Sequence, residues 1–481
     1  TAARGRRQSK PAVKSPLQSF YHRSPPAVRN LFASVRGYQL QSWRYGPETP
    51  RLVEEALERD RWAPARLRAY QEERLARVLH SAATRVPYYR RAGGARRRGG
   101  DRSPWEILSN WPVLRKEEVR KAPHAFLADG ADPGRMFRTQ TSGSTGTPLV
   151  LWHSRSAVRQ WYALFEARCR RWNGVTRDDR WGILGGQLVA PVDQAHPPFW
   201  VWNRAFRQLY MSVYHLSPGR LGCYLDEIER RRLAYLCGYT SALECLAQAA
   251  LSRRRVVNGL RLILTNAEPV DETQRSLIGR AFACPVRETY GLSENVAGAT
   301  ECEHGRLHLW PEAGVVEIVN GGAARQDGET GDLVCTGLLD EDMPLIRYQV
   351  GDQGRLARNH TTCPCGRTLP AVEAIEGRSD DVILTPDGRR IGRIDPAFKA
   401  EIPVKEIQVI QESLDQLRVV YVTDDPRQSA IEAELVRRLR ERVGKMEIET
   451  VRVSSVPRGA NGKFRAVVSR IRTPQIAVTE N

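Results

Sequence analysis

The stretch Thr141-Ser142-Gly143-Ser144-Thr145-Gly146-Thr147-Pro148 is the most informative segment of this chain. Its eight residues supply two glycines and five hydroxyl groups, and none has a bulky side chain. Glycines let backbone N–H groups approach an anion closely and hydroxyls add donors, so the pattern predicts a polyphosphate-binding loop. No Gly-Lys-Ser/Thr follows, which excludes a Walker loop. A flexible Ser/Thr-rich linker is the alternative, but the loop lies between an arginine-rich helical region and a predicted strand at 150–152.

The composition around this loop is that of a globular protein. The chain has 481 residues, of which 41% are hydrophobic and 27% charged, so collagen, wholesale disorder and a disulfide-stapled mini-protein are excluded. No run approaches about 18 apolar residues, so we expect no transmembrane helix. The opening TAARGRRQSK leads into no apolar segment, and we expect no secretory signal. Nine cysteines, an odd number, fit a reducing compartment and predict a cytoplasmic protein.

The net charge of +19 is concentrated near the N-terminus. Residues 1–100 hold 22 Arg and Lys against 7 Asp and Glu, and only eight lysines occur in the whole chain. A basic face in contact with solvent, reflecting an arginine bias, is favoured over an arm that binds an anionic surface. Nucleic acid is therefore not an expected partner.

Local patterns predict three segments. A basic N-terminal extension covers residues 1–48, and its first 30 residues have the composition of a disordered or loosely draped tail. A large domain covers 49–377, with helical spacing of apolar residues from Leu67 to Leu79 and short strands from Leu260 onward. The last hundred residues, 378–481, have a β-β-α-β pattern typical of a small α+β domain, with a hinge near 377–381.

Four further motifs carry polar residues suited to a nucleotide. Thr289-Tyr290-Gly291-Leu292-Ser293-Glu294 could stack a base, donate to a phosphate and hold Mg²⁺. The alternative is a buried tyrosine followed by a helix N-cap at Ser293. Asp352, after Gly351, could accept the hydroxyls of a ribose, or could belong to an ordinary turn. The other two motifs are Gly377-Arg378-Ser379-Asp380-Asp381, at the predicted hinge, and Asn461-Gly462-Lys463-Phe464, a lysine on a turn.

Together, the order and spacing of these motifs resemble the adenylate-forming superfamily, which includes acyl-CoA synthetases, peptide-synthetase adenylation domains and luciferases. The branch is similar to the phenylacetate–CoA ligase family with its CapK-type proteins. The segments QEERLARVLHSAATRVPYYRR, LSNWPVLRKEEVR, GYTSALECLA and TNAEP add to the likeness. The resemblance covers residues 65–470 and implies an α/β fold, with a large domain of mixed sheets flanked by helices and a small mobile α+β domain.

The resemblance also implies a role for each matching residue. The β- and γ-phosphates of ATP would lie on Thr141, Ser142, Gly143, Ser144, Thr145 and Gly146. Adenine would lie along Ala267, Glu268 and Pro269, and Tyr290, followed by Gly291, would stack on it. Ser293 would face the α-phosphate, Glu294 would bind Mg²⁺ and Asp352 the ribose. Arg378 would reach the ribose or a phosphate, Asp380 would lie at the hinge, and Lys463 would be the catalytic lysine. Gln349 departs from the arginine usual in the family. Leu149 stands where many members have lysine.

Four residues suggest a metal site. Cys302 and His308 are followed, after 54 intervening residues, by Cys363 and Cys365. Three thiolates and an imidazole are the tetrahedral set of a structural zinc site. The Cys-x-Cys spacing is tighter than usual, His304 is an alternative ligand, and incidental cysteines on two loops are the alternative interpretation. Some members of the resembling family carry Cys and His residues in corresponding segments.

The implied activity is activation of a carboxylic acid by ATP. The acid would attack the α-phosphorus, pyrophosphate would leave, and Lys463 and Mg²⁺ would neutralise the charge that builds up. CoA is the expected acceptor; an amine, a hydroxyl or a carrier protein is the alternative. The acid would bind near residues 152–153, 185–187, 239–242 and Asn266.

Two further interpretations remain open. In one, the chain is a non-catalytic binding protein whose basic arm docks on RNA or an anionic membrane. In the other, the arm recruits an active ligase to a membrane or a partner. A homodimer is also left open.

Overall fold

The computed structural model describes residues 16–91, 97–141, 149–320, 323–324, 326–358, 363–376, 382–391, 394–398, 402–456 and 466–471. These residues form a large α/β body and a separate α+β domain near the C-terminus. The predicted fold class is confirmed.

The described residues contain twelve α-helices. They are α1 Pro16–Arg23, α2 Pro26–Arg44, α3 Thr49–Arg59, α4 Pro64–Arg85, α5 Pro87–Arg91, α6 Pro104–Ser109, α7 Lys116–Lys121, α8 Arg155–Leu164, α9 Leu221–Arg230, α10 Thr240–Ser252, α11 Glu272–Phe282 and α12 Gln428–Val443. Proline at the first or second position begins several of them, since its missing N–H is not needed there.

The same residues contain 21 strands. They are β1 Phe137–Gln140, β2 Val150–His153, β3 Trp181–Gly185, β4 Trp200–Asn203, β5 Gln208–Ser212, β6 Tyr235–Tyr239, β7 Leu262–Asn266, β8 Val286–Gly291, β9 Gly298–Glu301, β10 Leu307–Leu309, β11 Gly314–Asn320, β12 Ala323–Ala324, β13 Thr330–Gly337, β14 Tyr348–Leu356, β15 Ala371–Glu376, β16 Ile383–Leu384, β17 Arg390–Ile391, β18 Glu406–Gln411, β19 Gln416–Val422, β20 Glu447–Arg452 and β21 Val467–Ser469.

One mixed sheet organises the large body. Within the described residues it has thirteen strands, in the order β12-β11-β13-β14-β15-β10-β9-β8-β7-β6-β3-β5-β4. The run β8-β7-β6-β3-β5 is parallel, and the strands on either side of it pair antiparallel. Strands β6 and β7 are almost wholly buried apolar runs, as expected of parallel strands covered on both faces. This parallel run provides the edge on which the candidate site is built.

The small domain has the predicted order of elements. Strands β18 and β19 pair antiparallel, α12 follows, and β20 returns parallel to β19. Ile431, Leu435 and Leu439 recur on one face of α12 and are buried, which is the spacing of a helix that packs on a sheet. A short strand, β21, adds parallel to β18.

The N-terminal segment differs from expectation. Residues 1–30 were expected to be a disordered or draped tail, but residues 16–23 and 26–44 are helical. The interpretation was wrong there because Arg, Ser and Pro dominate the composition and hide a helix that packs against β4. The predicted hinge at 377–381 lies outside the described residues, and the three domain boundaries remain predictions. No helix in the described part of the chain is long and apolar enough to cross a membrane.

Candidate active site

The carboxyl ends of four neighbouring parallel strands form the edge of the candidate site. Strands β3, β6, β7 and β8 lie side by side and end at Gly185, Tyr239, Asn266 and Gly291. Leu184 is opposite Gly238, and Tyr239 is opposite Asn266. Ligands of open parallel sheets bind outside this edge. Segments that the sequence linked to adenine and to the acid therefore share one edge.

The predicted phosphate loop connects a two-stranded hairpin. Strands β1 and β2 pair antiparallel, with Gln140 opposite Val150. Thr141 and Leu149 hold its ends together: the Thr141 N–H donates to the Leu149 carbonyl at 3.0 Å. The Leu149 N–H donates to Thr141 Oγ1 at 3.3 Å. Of the predicted phosphate ligands, Ser142, Gly143, Ser144, Thr145 and Gly146 lie outside the described residues.

A buried histidine connects this hairpin to the Tyr290–Glu294 segment. His153 ends β2, and its Nε2 lies 3.0 Å from the carbonyl oxygen of Ser293. Since a carbonyl can only accept, that nitrogen carries the proton. Thr139 Oγ1 on β1 is 3.1 Å from the same nitrogen. The phosphate-loop hairpin and Ser293, predicted to face the α-phosphate, are therefore held together by one side chain.

Glu294 is buried but paired with a cation. Lys116, the first residue of α7, places its Nζ 3.2 Å from Glu294 Oε1. The Tyr348 hydroxyl donates to the same oxygen at 2.9 Å. Burial acts to raise the pKa of Glu294, but the Lys116 charge and the Tyr348 hydrogen bond hold it below its usual value. The carboxylate is thus ionised, and neither bond uses Oε2; an ionised carboxylate oxygen is a ligand type that Mg²⁺ prefers.

Tyr290 and Asp352 meet at the same site from different strands. Tyr290, on β8, donates its hydroxyl to Asp352 Oδ2 on β14 at 2.9 Å. Burial raises the pKa of Tyr290 well above its usual value, so the phenol is protonated and can act as the donor. The structure brings together these two residues, both of which are predicted to contact the nucleotide. Their contacts with a base and a ribose remain predictions.

The segment 267–269 leaves the end of β7 in a strained turn. Ala267 has φ +62°, in the left-handed region that residues other than glycine seldom adopt. The Glu268 carboxylate accepts from Ser241 N–H at 2.8 Å, at the positive N-terminal end of α10. Ala267 and Pro269 are exposed on either side of it. The segment is therefore fixed in position while its flanking residues face solvent.

The side-chain oxygen of Asn266 has no hydrogen-bond partner among the described residues. This oxygen, Oδ1, is buried, while Nδ2 of the same side chain is 3.5 Å from Cys237 Sγ. A buried acceptor without a partner costs about 1–3 kcal/mol. Its position between the predicted adenine and acid segments makes this oxygen a candidate ligand-binding group.

Of the remaining motif residues, one lies in the described part of the chain and three lie outside it. Gln349, which departs from the pattern of the resembling family, donates from its Nε2 to Asp332 Oδ2 at 2.9 Å. Arg378, Asp380 and Lys463 lie outside the described residues, and their roles remain predictions.

The four predicted zinc ligands come together at the far side of the sheet. The donor atoms of Cys302, His308, Cys363 and Cys365 all lie within 4.8 Å of one another. Cys302 Sγ is 3.6 Å from Cys363 Sγ, and Cys365 Sγ is 3.4 Å from His308 Nε2. Zn–S bonds of about 2.3 Å in a tetrahedron place sulfurs about 3.8 Å apart, so these separations fit a bound ion. His308 Nδ1 is 3.2 Å from the Leu369 carbonyl, which leaves Nε2 facing the cluster.

Sequence reasoning missed two contacts of the candidate active site. Lys116 was quoted only as part of a similar segment, and His153 only as lining the acid site. A signal for Lys116 was available, because lysine is rare among the 74 basic residues of this chain. His153 carried no comparable signal, since its partner Ser293 is 140 residues away.

Comparison with solved structures identifies the class of fold. A 2-hydroxyisobutyryl-CoA ligase in complex with 2-HIB-AMP and CoA, in the thioesterification state, aligns with a TM-score of 0.54 at 19% identity. The alignment covers 86% of this chain and 92% of that one. The same ligase in the postadenylation state gives a TM-score of 0.51 at 20% identity. The chain therefore shares the fold of this CoA ligase.

Comparison of amino-acid sequences relates the chain to particular proteins. Residues 383–470 match the CapK C-terminal domain family. Protein CapK of Staphylococcus aureus is 24% identical over 463 residues, covering 95% of this chain and 100% of CapK. A phenylacetate-coenzyme A ligase of Thermus thermophilus is 26% identical over 448 residues, covering 84% of this chain and 96% of the ligase. CapK and the phenylacetate-coenzyme A ligases are homologues of this chain, which confirms the resemblance stated from the motifs.

Proposed function

We propose that this protein is an AMP-forming carboxylate ligase. It converts a carboxylic acid and ATP to an acyl-adenylate and pyrophosphate. It then transfers the acyl group to a thiol, and CoA is the first candidate for that thiol. The observation that carries the proposal is the convergence of the loop hairpin, Ser293, Glu294 and the Tyr290–Asp352 pair at the carboxyl edge of the parallel strands. The acyl-CoA ligases among its homologues and structural neighbours support it.

The described side chains suit each part of this reaction. Asp352 can accept the hydroxyls of a ribose, as the resemblance implied. Glu294, kept ionised by Lys116, would hold the magnesium ion that accompanies ATP. That ion supplies charge neutralisation at the phosphates when it is bound. The orphaned Asn266 Oδ1 would accept from a donor on the nucleotide or the acid. These groups would position the substrates and neutralise their negative charge, which is most of what phosphoryl-type transfer requires of a protein.

Lys463 provides the sharpest test of the reaction. With purified protein, ATP, Mg²⁺ and a panel of aryl, amino and short aliphatic acids, we expect pyrophosphate release with one acid class. Lys463→Ala should cut the rate by about 10²–10³, of the order expected for one oriented charge donor at the transition state. Lys445→Ala, a lysine just before β20, is the matched control and should retain the rate. Equal rates in the Lys463→Ala variant and wild type would remove Lys463 from the mechanism.

The acceptor is decided in the same assay. A further rise in pyrophosphate release on adding CoA supports a thiol acceptor. Release that is indifferent to CoA favours an amine, a hydroxyl or a carrier protein, and trapping the acylated product identifies which.

We also propose that Cys302, His308, Cys363 and Cys365 hold a structural zinc ion. It would join the turn after β9 to the loop before β15, which are more than 50 residues apart in sequence. Purified protein should contain about one zinc per chain, and Cys365→Ser should lose it and unfold at a lower temperature. Cys223→Ser, a half-buried cysteine outside the cluster, is the control and should keep its zinc. Full zinc content in Cys365→Ser would contradict the site.

A further inference from the structure

Helix α2 packs with its polar side toward the protein. Arg29 and Ser34 are buried, and Arg29 donates to the Val189 carbonyl. Asn30 Oδ1 accepts the Trp202 N–H at 2.8 Å, beside β4. A helix that covers a core ordinarily buries its apolar side instead. The apolar side of α2 therefore faces away from the protein.

The outward side is a continuous apolar stripe. Leu31, Val35 and Tyr38 follow one another at intervals of four and three residues, so they lie on one face of α2. They are 62%, 50% and 58% exposed. Phe20 of α1 and Phe32 of α2 lie beside the stripe, with ring centroids 6.0 Å apart. Of the seven large hydrophobic side chains exposed in the described part of the chain, these five fall within 19 residues.

The surroundings of the stripe are cationic. The described residues 16–47 contain four arginines and no Lys, Asp or Glu. Arg23 and Arg36, on α1 and α2, are exposed. An apolar patch flanked by cations and free of acidic residues suits an anionic surface that offers an apolar interior.

A cationic cavity adjoins the same helix. It has a volume of about 390 Å³ and is lined by Trp202 and five arginines, Arg180, Arg204, Arg207, Arg230 and Arg231. A neighbouring cavity of about 310 Å³ shares Arg230 and Arg231 and is lined by Asn30 of α2. Glu227 pairs with those two arginines, whereas Arg180 and Arg207 donate to backbone carbonyls. The cavity therefore carries net positive charge, which suits a phosphate group.

We propose that the α1–α2 hairpin and this arginine cavity form a docking surface for an anionic lipid membrane. The stripe of Leu31, Val35 and Tyr38 enters the interface between headgroups and acyl chains, and the cavity binds lipid phosphates. A second copy of this chain is a poorer occupant, because two such basic hairpins would repel each other. This surface is separate from the proposed ligase site, and its test does not depend on ligase activity.

Vesicle binding by the full chain tests the proposal. The probe is sedimentation with vesicles of equal parts phosphatidylcholine and phosphatidylglycerol, compared with phosphatidylcholine alone. Wild type should bind the anionic vesicles, and binding should weaken with added salt. Leu31→Ser/Val35→Ser/Tyr38→Ser should lower the partition coefficient by about 100-fold, because three apolar side chains no longer enter the interface. Arg180→Gln/Arg204→Gln should lower it roughly tenfold.

Matched control variants distinguish a specific docking surface from a general effect of losing apolar or charged side chains. Val256→Ser/Leu414→Ser removes the two large exposed hydrophobic side chains that the described residues hold outside the patch. Arg51→Gln/Arg66→Gln removes two exposed arginines elsewhere. Both should bind like wild type, and all variants should unfold at the same temperature as wild type. No binding by wild type, equal binding to neutral vesicles, or unchanged binding by the triple variant overturns the proposal. So does a wild-type dimer, lost in the triple variant, that binds no vesicles, since the stripe then belongs to a second copy.

Discussion

At the scale of single residues, the candidate site depends on how a buried carboxylate is kept charged. Glu294 could be selected from the sequence, because it closes a motif whose order resembles a known family. Lys116, its partner, is 178 residues away, and no local pattern predicts which cation will neutralise a given carboxylate. The sequence was enough to identify the Glu294 carboxylate as a candidate magnesium ligand. The cation that keeps this carboxylate ionised could be identified only from the fold.

The Lys116–Glu294 pair leads to a stability prediction. Lys116→Met should lower the free energy of unfolding by about 3 kcal/mol, because removing one partner leaves a buried charge uncompensated. The measurement is urea unfolding at neutral pH. Lys121→Met, which removes an exposed lysine from the other end of the same helix, is the control and should change stability little. Equal stability of the two variants would show that Lys116 does not compensate Glu294.

At the scale of elements, strands and the small domain were predictable and the first two helices were not. Short apolar runs at residues 150–152 and 262–266 predict buried strands. The spacing of its leucines predicts α12. Helix α2 has the reverse arrangement, with Ser34 buried and Leu31 exposed. A pattern rule that assumes apolar residues face inward misjudges such a helix.

Strand β8 carries a partly buried carboxyl group, Glu288, whose environment makes a pH prediction. Burial, with a smaller effect of Glu301, raises the pKa of Glu288 to about 7. The folded state therefore opposes ionisation of Glu288, and this penalty is absent at low pH and grows as pH rises from about 4.5 to about 7. Glu288→Gln removes it, so the variant should be about 1–3 kcal/mol more stable than wild type at pH 8. At pH 5 the two should be nearly equal.

Unfolding free energies at pH 5 and pH 8 check this expectation. Glu272→Gln is a matched control, because that side chain is 88% exposed and should show no such pH dependence. A difference between Glu288→Gln and wild type that is the same at both pH values would mean that Glu288 does not ionise over this range.

At the scale of the whole molecule, two domains meet through a buried arginine. Arg389, between β16 and β17, donates to the Tyr214 carbonyl of the large body and to the Arg442 and Val443 carbonyls at the end of α12. The sequence predicted both domains from a change in pattern near residue 378. It could not predict this contact, because three backbone carbonyls that converge on one guanidinium leave no trace in residue types.

The products formed from ATP test the proposed reaction most directly. Purified wild-type protein with ATP, Mg²⁺ and its acid, without CoA, should form pyrophosphate and an acyl-adenylate in equal amounts, and the acyl-adenylate should be detectable by mass spectrometry. Lys463→Ala should form both about 10²–10³ times more slowly. Formation of ADP and phosphate by wild type, or an unchanged rate of pyrophosphate formation in Lys463→Ala, would contradict adenylation at this site.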